Sequence, residues 1–299
     1  MLRNLRGLAE EFIHRYYHRP RRIRAFRRQT DRHIHTTPAG LKFELDPTEF
    51  VDYFLATEGV YERRFLRFMR ANFPAGGVMI DVGANIGNHA LYLHDLCSAV
   101  HCYEPNPVVA ARLYRNIELN GIRNVFVHQF GLGDRNGDFP FASNKIGNLG
   151  NSGFIGGQAH RDGNYDTLKL PLRVADEAID ELKLSRIDLI KLDVEGLEPE
   201  VIHGLRHAIS RFRPLVAFEF HGQFAPSDAF ETIRSSMPDY TFADVTYAAD
   251  DSGIVSKVIY HLKNGNDVAL REVVTPNQRT YESMLAIPND HVLRGSVQS

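Results

Sequence analysis

Tryptophan is absent from this chain of 299 residues, and cysteine occurs only twice. Cys97 and Cys102 are read as small buried hydrophobes and not as a disulfide or a metal pair, which makes a reducing, cytoplasmic setting the expectation. There is no run of 18 or more apolar residues and no secretory signal pattern, and both absences point the same way. Lysine is missing from residues 1 to 35, which carry ten arginines against Glu10, Glu11 and Asp31. That segment is therefore at +7 within a chain of net charge −2, leaving the remainder at −9. A split of this kind suggests a basic arm with its own partner.

In the arm, Leu2, Leu5, Leu8, Phe12, Ile13 and Tyr16 recur at helical spacing ahead of the Arg19 to Arg28 cluster. A basic amphipathic helix can lie on an anionic membrane, bind nucleic acid or pack on its own domain. Peripheral membrane contact is preferred to nucleic acid, because the aromatics belong to no nucleic-acid-binding motif. The arm is taken as residues 1–36, the main domain as 37–275 and the tail, which has no clear pattern, as 276–299.

At 43% hydrophobic, the chain can bury the core of a large α/β domain. Its organising stretch is Val78 to Asn88, an apolar run closing on Asp81, then Gly83-Ala84-Asn85-Ile86-Gly87 and a helix start. A dinucleotide-binding turn would place glycine where Asn85 stands, which disfavours a NAD-dependent dehydrogenase. The next strand, Ala99 to Glu104, again ends in a carboxylate, about 20 residues on, where an acid would take two ribose hydroxyls. Acids at two adjacent strand ends suit a cationic nucleoside, and S-adenosylmethionine fits that description.

Strands and helices alternate onward from there. A helix is expected at about Glu62 to Asn72 and another, opened by Pro105 and Pro107, through Val108 to Asn120, with Gly121 stopping the second. Strands are expected at 125–130, 168–174, 187–193, 215–221, 240–245 and 257–262. Asp134, at a strand end, is placed to touch a nucleobase. The Gly- and Asn-rich stretch 139–166 is too long for a simple connection and reads as a lid or binding loop. Because ligands of open parallel sheets bind beyond the carboxyl ends of the strands, Asp81, Glu104, Asp134, Asp193, Glu195, Glu219 and His221 are expected to share one cleft.

Asp81-Val82-Gly83-Ala84-Asn85-Ile86-Gly87, Tyr103-Glu104-Pro105, Lys191 to Glu198 and Phe218-Glu219-Phe220-His221, together with Gly59-x-Tyr61-Glu62, resemble the FkbM family of S-adenosylmethionine-dependent methyltransferases. The resemblance covers roughly residues 40 to 262. It implies a class I methyltransferase fold: a doubly wound, mostly parallel seven-stranded sheet with helices on both faces, here with an N-terminal helical arm. It also implies transfer to a hydroxyl of a sugar, a glycan or a related metabolite such as a polyketide-like one. Val174-Ala175-Asp176 stands where that family commonly has Thr-Leu-Asp.

Carried onto this sequence, the resemblance makes Glu62, Asp81, Gly83, Ala84, Asn85, Gly87, Asn88, Glu104 and Asp134 the candidate cofactor residues. Asp193 would stand near the methyl group. Candidate bases for the acceptor hydroxyl are Asp193, Glu195, Glu219 and His221. Mg²⁺ held by Asp193, Glu195 and a further acid is the alternative to metal-free base catalysis, which is preferred. An N-methyltransferase and a catalytically silent module docking through its arm are the rival functions.

Overall fold

The chain enters the fold through helix α1 (Arg19–Phe26), a hairpin of β1 (His33–Thr36) and β2 (Lys42–Leu45), and helices α2 (Phe50–Glu58) and α3 (Arg63–Asn72). The computed structural model describes residues 19–26, 28–144, 150, 152–155, 165–223, 225–246, 269–276, 280–293 and 297–298. The amphipathic segment from Leu2 to Tyr16 and the strand expected at 257–262 lie outside them. The described end of the arm packs on its own domain. Phe26 is buried against Tyr53 of α2 with ring centroids 6.1 Å apart, and the Arg22 guanidinium reaches the Thr57 carbonyl.

The core begins with β3 (Gly77–Val82), buried at all six positions as an apolar strand covered on both faces must be. Helix α4 (Asn88–Leu93) leads through one 3₁₀ turn to β4 (Cys97–Tyr103), so Cys97 opens a strand and does not sit in a helix. Helix α5 (Pro107–Asn120) starts where the Asn106 side chain accepts the Val108 amide and Pro107 fills the first turn; Gly121, at φ +62°, ends it. Then come β5 (Val125–His128), β6 (Gly131–Gly133), β7 (Gly137–Asn144), β8 (Gly153–Phe154) and β9 (Tyr165–Val174). The second half holds α6 (Ala175–Glu181), β10 (Leu189–Leu192), α7 (Glu198–Gly204), α8 (Arg206–Phe212), β11 (Leu215–His221) and α9 (Ala229–Ser236). The sheet is completed by β12 (Tyr240–Thr246), β13 (Ala269–Glu272), β14 (Thr280–Pro288) and β15 (Val297–Gln298).

The main sheet runs β15-β13-β12-β14-β11-β10-β3-β4-β5. Strands β5, β4, β3, β10 and β11 are mutually parallel, whereas β14 runs antiparallel between β11 and β12. This is the doubly wound class I methyltransferase arrangement, with β13 and β15 extending it to nine strands among the described residues. The chain winds outward from β3 to β5 and then returns to build β10 and β11 on the other side. The switch point, where crevices open in such sheets, therefore lies between β3 and β10.

Two apolar cores cover the sheet's faces. One joins Phe43, Leu55, Leu66, Ile86 and Leu113 beneath α2 to α5, and the other joins Ile80, Ile190, Val201, Ile209 and Ile233 beneath α6 to α9. The N-terminal hairpin is fastened to α5, where Asn116 and Asn120 accept the amides of Glu44 and Lys42. Arg112 of α5 reaches both the Glu44 carbonyl and the buried carboxylate of Asp52 on α2.

Part of the expected loop 139–166 is strand. β7 and β9 pair antiparallel from Gly137–Leu172 to Asn144–Tyr165, and with β6 and β8 they make a separate four-stranded sheet. Asn and Gly in this stretch obscure the strand that buries Phe141 and Ala142. The region from 276, expected to be a patternless tail, contributes β14 to the middle of the main sheet.

Candidate active site

The turn after β3 is shaped by contact across the switch point. Gly83 has φ +76°, and a β-carbon there would lie 1.8 Å from the Asp193 carbonyl oxygen. Only glycine accepts both that backbone and that neighbour. Its amide and that of Ala84 donate to the Tyr103 carbonyl at the end of β4. Asn85 then adopts a left-handed conformation, φ +49°, which aims its amide at Glu104.

Glu104 is buried, and its two oxygens accept the amides of Asn85 (3.0 Å) and Asn106 (2.9 Å). Burial pushes its pKa up to about 7 against these two hydrogen bonds. It lines a cleft of about 600 Å³, open solvent at its mouth included, whose walls also include Val109, Leu132, Phe141 and Phe154. Phe141 and Phe154, edge to face at 5.2 Å, come from the second sheet. Aromatic and aliphatic walls with a carboxylate among them have the chemistry of a nucleoside site.

A second, more polar cleft of about 1100 Å³ opens beside it, and Asn85, Gly150 and Asp193 border both. Each basic group here already faces an acid. Lys191, buried on β10, donates to Asp193 at 2.7 Å. His89 of α4 sits 2.6 Å from Glu62, and His221 Nε2 lies 3.1 Å from Glu219. That last contact lacks hydrogen-bond alignment, so His221 Nε2 is buried with no directed partner, while Nδ1 is 3.1 Å from the Thr280 hydroxyl.

The charges sort accordingly. Burial works to raise Asp193, but the Lys191 ammonium prevails and holds its carboxyl below the ordinary range. Burial works to lower Lys191, yet the charges of Asp193, Glu62 and Asp81 hold its pKa above the usual value. Burial and the neighbouring carboxylates of Asp193, Glu219 and Glu198 push Glu195 well up, so it favours the protonated form. Burial lowers His221, but Glu219, Glu198 and Asp193 outweigh it and leave the imidazole more basic than usual.

Asp81 lies behind this cleft, fully buried, opposite Lys191 in the strand register. The Ala90 amide faces it and contributes some stabilisation, but neither carboxylate oxygen has a partner in hydrogen-bond geometry. A buried carboxylate without a partner is a place for a cationic ligand group or an ordered water.

Of the residues singled out in the sequence, Gly83, Asn85, Glu104 and Asp193 meet at the first cleft, and Glu62, Asn85, Asp193, Glu195, Glu219 and His221 meet at the more polar one. Ala84 and Gly87 shape the turn from behind. The Asn88 side chain is committed to the Tyr61 backbone, accepting its amide and donating to its carbonyl, so it fixes the loop that carries Glu62. Asp134 is exposed at the end of β6 and borders neither cleft. Among the described residues, no group of three or more His, Cys, Asp or Glu side chains is arranged to hold a metal ion.

Four contributors escape the sequence pattern: His89, Phe50, Thr280 and Ser283. On sequence alone the first is a structural or solvated helix residue, of which the structure shows the former, and the last two arrive on β14. The four-residue apolar run Met284 to Ile287, stopped by Pro288, was the signal for that strand.

The model of the methyltransferase FkbM domain matches residues 81–243, more than half of the 299. The hexuronic acid methyltransferase AglP of Haloferax volcanii is 28% identical over 178 residues, covering 58% of this chain and 69% of that protein. Methyltransferase 1 of Beauveria bassiana is 31% identical over 151 residues, covering 45% and 61%. The 2-O-methyltransferase NoeI of Sinorhizobium fredii is 30% identical over 148 residues, covering 46% and 60%. The chain thus spans about six tenths of the length of the last two. A solved FkbM methyltransferase from Methylobacillus flagellatus KT has 19% identity and a TM-score of 0.45, with 76% of this chain and 46% of that one covered. Since the family match starts at Asp81 and runs through both halves of the switch point into β12, this chain belongs to the FkbM methyltransferase family.

Proposed function

We propose that the chain is an S-adenosylmethionine-dependent O-methyltransferase acting on a hydroxyl of a sugar, a glycan or a related metabolite. The observation that carries this reading is the meeting of an apolar nucleoside slot and a polar cleft at Asn85 and Asp193. The printed names of two relatives, a hexuronic acid methyltransferase and a 2-O-methyltransferase, agree with it.

In this reading Phe141 and Phe154 hold the adenine, Glu104 takes the ribose hydroxyls, and the acids Asp81 and Glu62 face the cationic methionine end. When bound, S-adenosylmethionine supplies a methyl already activated by the sulfonium. The protein's part is to align an acceptor oxygen for in-line displacement and to remove its proton. His221, with its Nε2 undirected and Glu219 beside it to stabilise the imidazolium, is the preferred base. Asp193, kept ionised by Lys191 and about one third exposed to the cleft, orients the acceptor. Glu195, in its protonated form, is a poor base.

The test is calorimetric titration with S-adenosylhomocysteine, followed by methyl transfer from labelled S-adenosylmethionine to a glycan panel. Micromolar binding and an alkali-stable methyl ether are expected. A folded sample that binds no S-adenosylhomocysteine would sink the reading, and a methylated amine would move it to nitrogen.

A further inference from the structure

Glu62 is fixed by residues far from it in the chain. It stands in the left-handed region, φ +52°, which a residue with a β-carbon occupies only where its surroundings hold it there. The two residues that open α4, directly after the turn at 83–87, do the holding. The Asn88 side chain accepts the Tyr61 amide and donates to the Tyr61 carbonyl, and His89 Nε2 meets Glu62 Oε2 at 2.6 Å. The imidazole is buried and packs edge-on against Phe65 of α3 at 6.2 Å, so it acts as a fixed post for the carboxylate.

That post decides where the other oxygen points. Glu62 Oε1 is 3.4 Å from the Ser283 hydroxyl of β14, and the side chain is 18% exposed, on the wall of the polar cleft. A carboxylate with one oxygen anchored and the other at a cleft suits a charged N–H donor. Lys191, which borders the same cleft, is committed to Asp193. The donor for Glu62 is therefore a ligand's. Glu62 borders the polar cleft and not the nucleoside slot, whereas Asn85 and Asp193 border both. A ligand whose nucleoside fills the slot thus reaches Glu62 only with what extends beyond the ribose. Phe50, Glu219 and His221 border the same cleft and are left for the acceptor.

We propose that His89 is a positioning residue for the amino-acid end of the cofactor. Its Nε2–H holds Glu62 so that the second carboxylate oxygen receives the ligand's α-ammonium. This inference rests on the S-adenosylmethionine reading and deepens it. His89 touches no ligand itself. Because it acts through Glu62, its loss is felt by ligands that carry the ammonium and not by the nucleoside alone.

The full chain is titrated with S-adenosylhomocysteine and with 5′-methylthioadenosine, which keeps the nucleoside and lacks the amino-acid end. Both should bind, the second more weakly. His89→Leu should weaken S-adenosylhomocysteine binding about tenfold and leave 5′-methylthioadenosine within about twofold, whereas a loosened fold would move both. His89→Gln, which returns an N–H to Glu62, should recover most of the loss. Glu62→Gln should weaken S-adenosylhomocysteine by a similar factor, and adding His89→Leu to it should bring no more than about twofold further, since the two residues act as one unit. Five results would each overturn the proposal and leave the cofactor reading standing: unchanged S-adenosylhomocysteine affinity in His89→Leu, a parallel loss of both ligands, no recovery in His89→Gln, additive losses in the double variant, or a wild-type chain that binds S-adenosylhomocysteine but not 5′-methylthioadenosine. A folded wild-type chain that binds neither ligand would remove the cofactor reading and the proposal together.

Discussion

The carbonyl oxygen of Asp193 occupies the space that a side chain on residue 83 would need, at 1.8 Å from where its β-carbon would stand. The two halves of the doubly wound sheet therefore touch through bare backbone at the point where the two clefts join. Gly83→Ala is expected to lose about 1–2 kcal/mol from its left-handed conformation alone. The overlap with Asp193 adds to that by pushing β3 and β10 apart. Thermal unfolding and S-adenosylhomocysteine titration should both register the change, and a variant with unaltered affinity would contradict the role given to this contact.

Glu104 should make cofactor affinity depend on pH. Its folded pKa is up to about 7, and the ionised carboxylate is the better acceptor for two ribose hydroxyls. A ligand that prefers the deprotonated form binds more weakly below that pKa and reaches a plateau above it. S-adenosylhomocysteine affinity is therefore expected to climb as pH rises through about 7, and Glu104→Gln should flatten the climb while weakening binding. The sign for stability is opposite. An acid whose pKa is raised on folding disfavours the folded state as pH rises from its unfolded value toward 7.

His221 predicts the acid limb of the rate. Its pKa is raised above 6.5 because Glu219 and the other carboxylates outweigh burial, and only the neutral imidazole can take a proton. The rate at saturating substrate should fall as pH drops through that raised value. Replacing His221 with Gln should lower kcat by roughly 10²- to 10⁴-fold and abolish that limb. The limb surviving in H221Q would shift the assignment to Glu219 or Asp193.

Breaking the buried pair between Asp52 and Arg112 should cost about 3–5 kcal/mol, since either substitution alone leaves an uncompensated charge inside the protein. Asp52→Ala is expected to lower the melting temperature and raise acceptor KM together, because α2 carries Phe50. Stability lost with KM unchanged would mean that the mounting of Phe50 does not matter.

The arginine-rich arm carries the remaining proposal, contact with an anionic membrane. Binding to vesicles containing phosphatidylserine should require the anionic lipid, weaken between low and physiological salt, and fall on deletion of residues 1–18, which removes the apolar face from Leu2 to Tyr16, and further when Arg21, Arg24 and Arg28 are also replaced. Helix α1 is left in place because it packs on α2. Salt-independent binding would argue against it.

How much of this could be read in advance depended on whether the information was local. β3 and its turn were legible because a buried parallel strand, an acid and two glycines fall within eleven residues. Glu104 followed from its spacing. The pairing of Lys191 with Asp193 was only half legible: a buried lysine needs an acid, but Asp188 and Asp193 stand three before and two after it in the chain. In the structure Asp188 turns away to the Val78 amide and Arg186. His89 was hidden because its partner Glu62 lies 27 residues earlier, on a loop held by Asn88. The second sheet was obscured by glycine and asparagine, whose presence lowers strand propensity without preventing pairing. β14 was missed because its neighbours, β11 and β12, both precede it in the chain.

That last point sets an order of events during synthesis. β11 and β12 are not paired with each other; each is paired with β14, so the edge of β11 stays open until residues 280–288 have left the ribosome. The residues that line the first cleft all precede β11, yet Thr280 and Ser283 reach the second only with β14. Translation stopped short of residue 280 would leave the second cleft without Thr280 and Ser283 and the edge of β11 bare, open to aggregation.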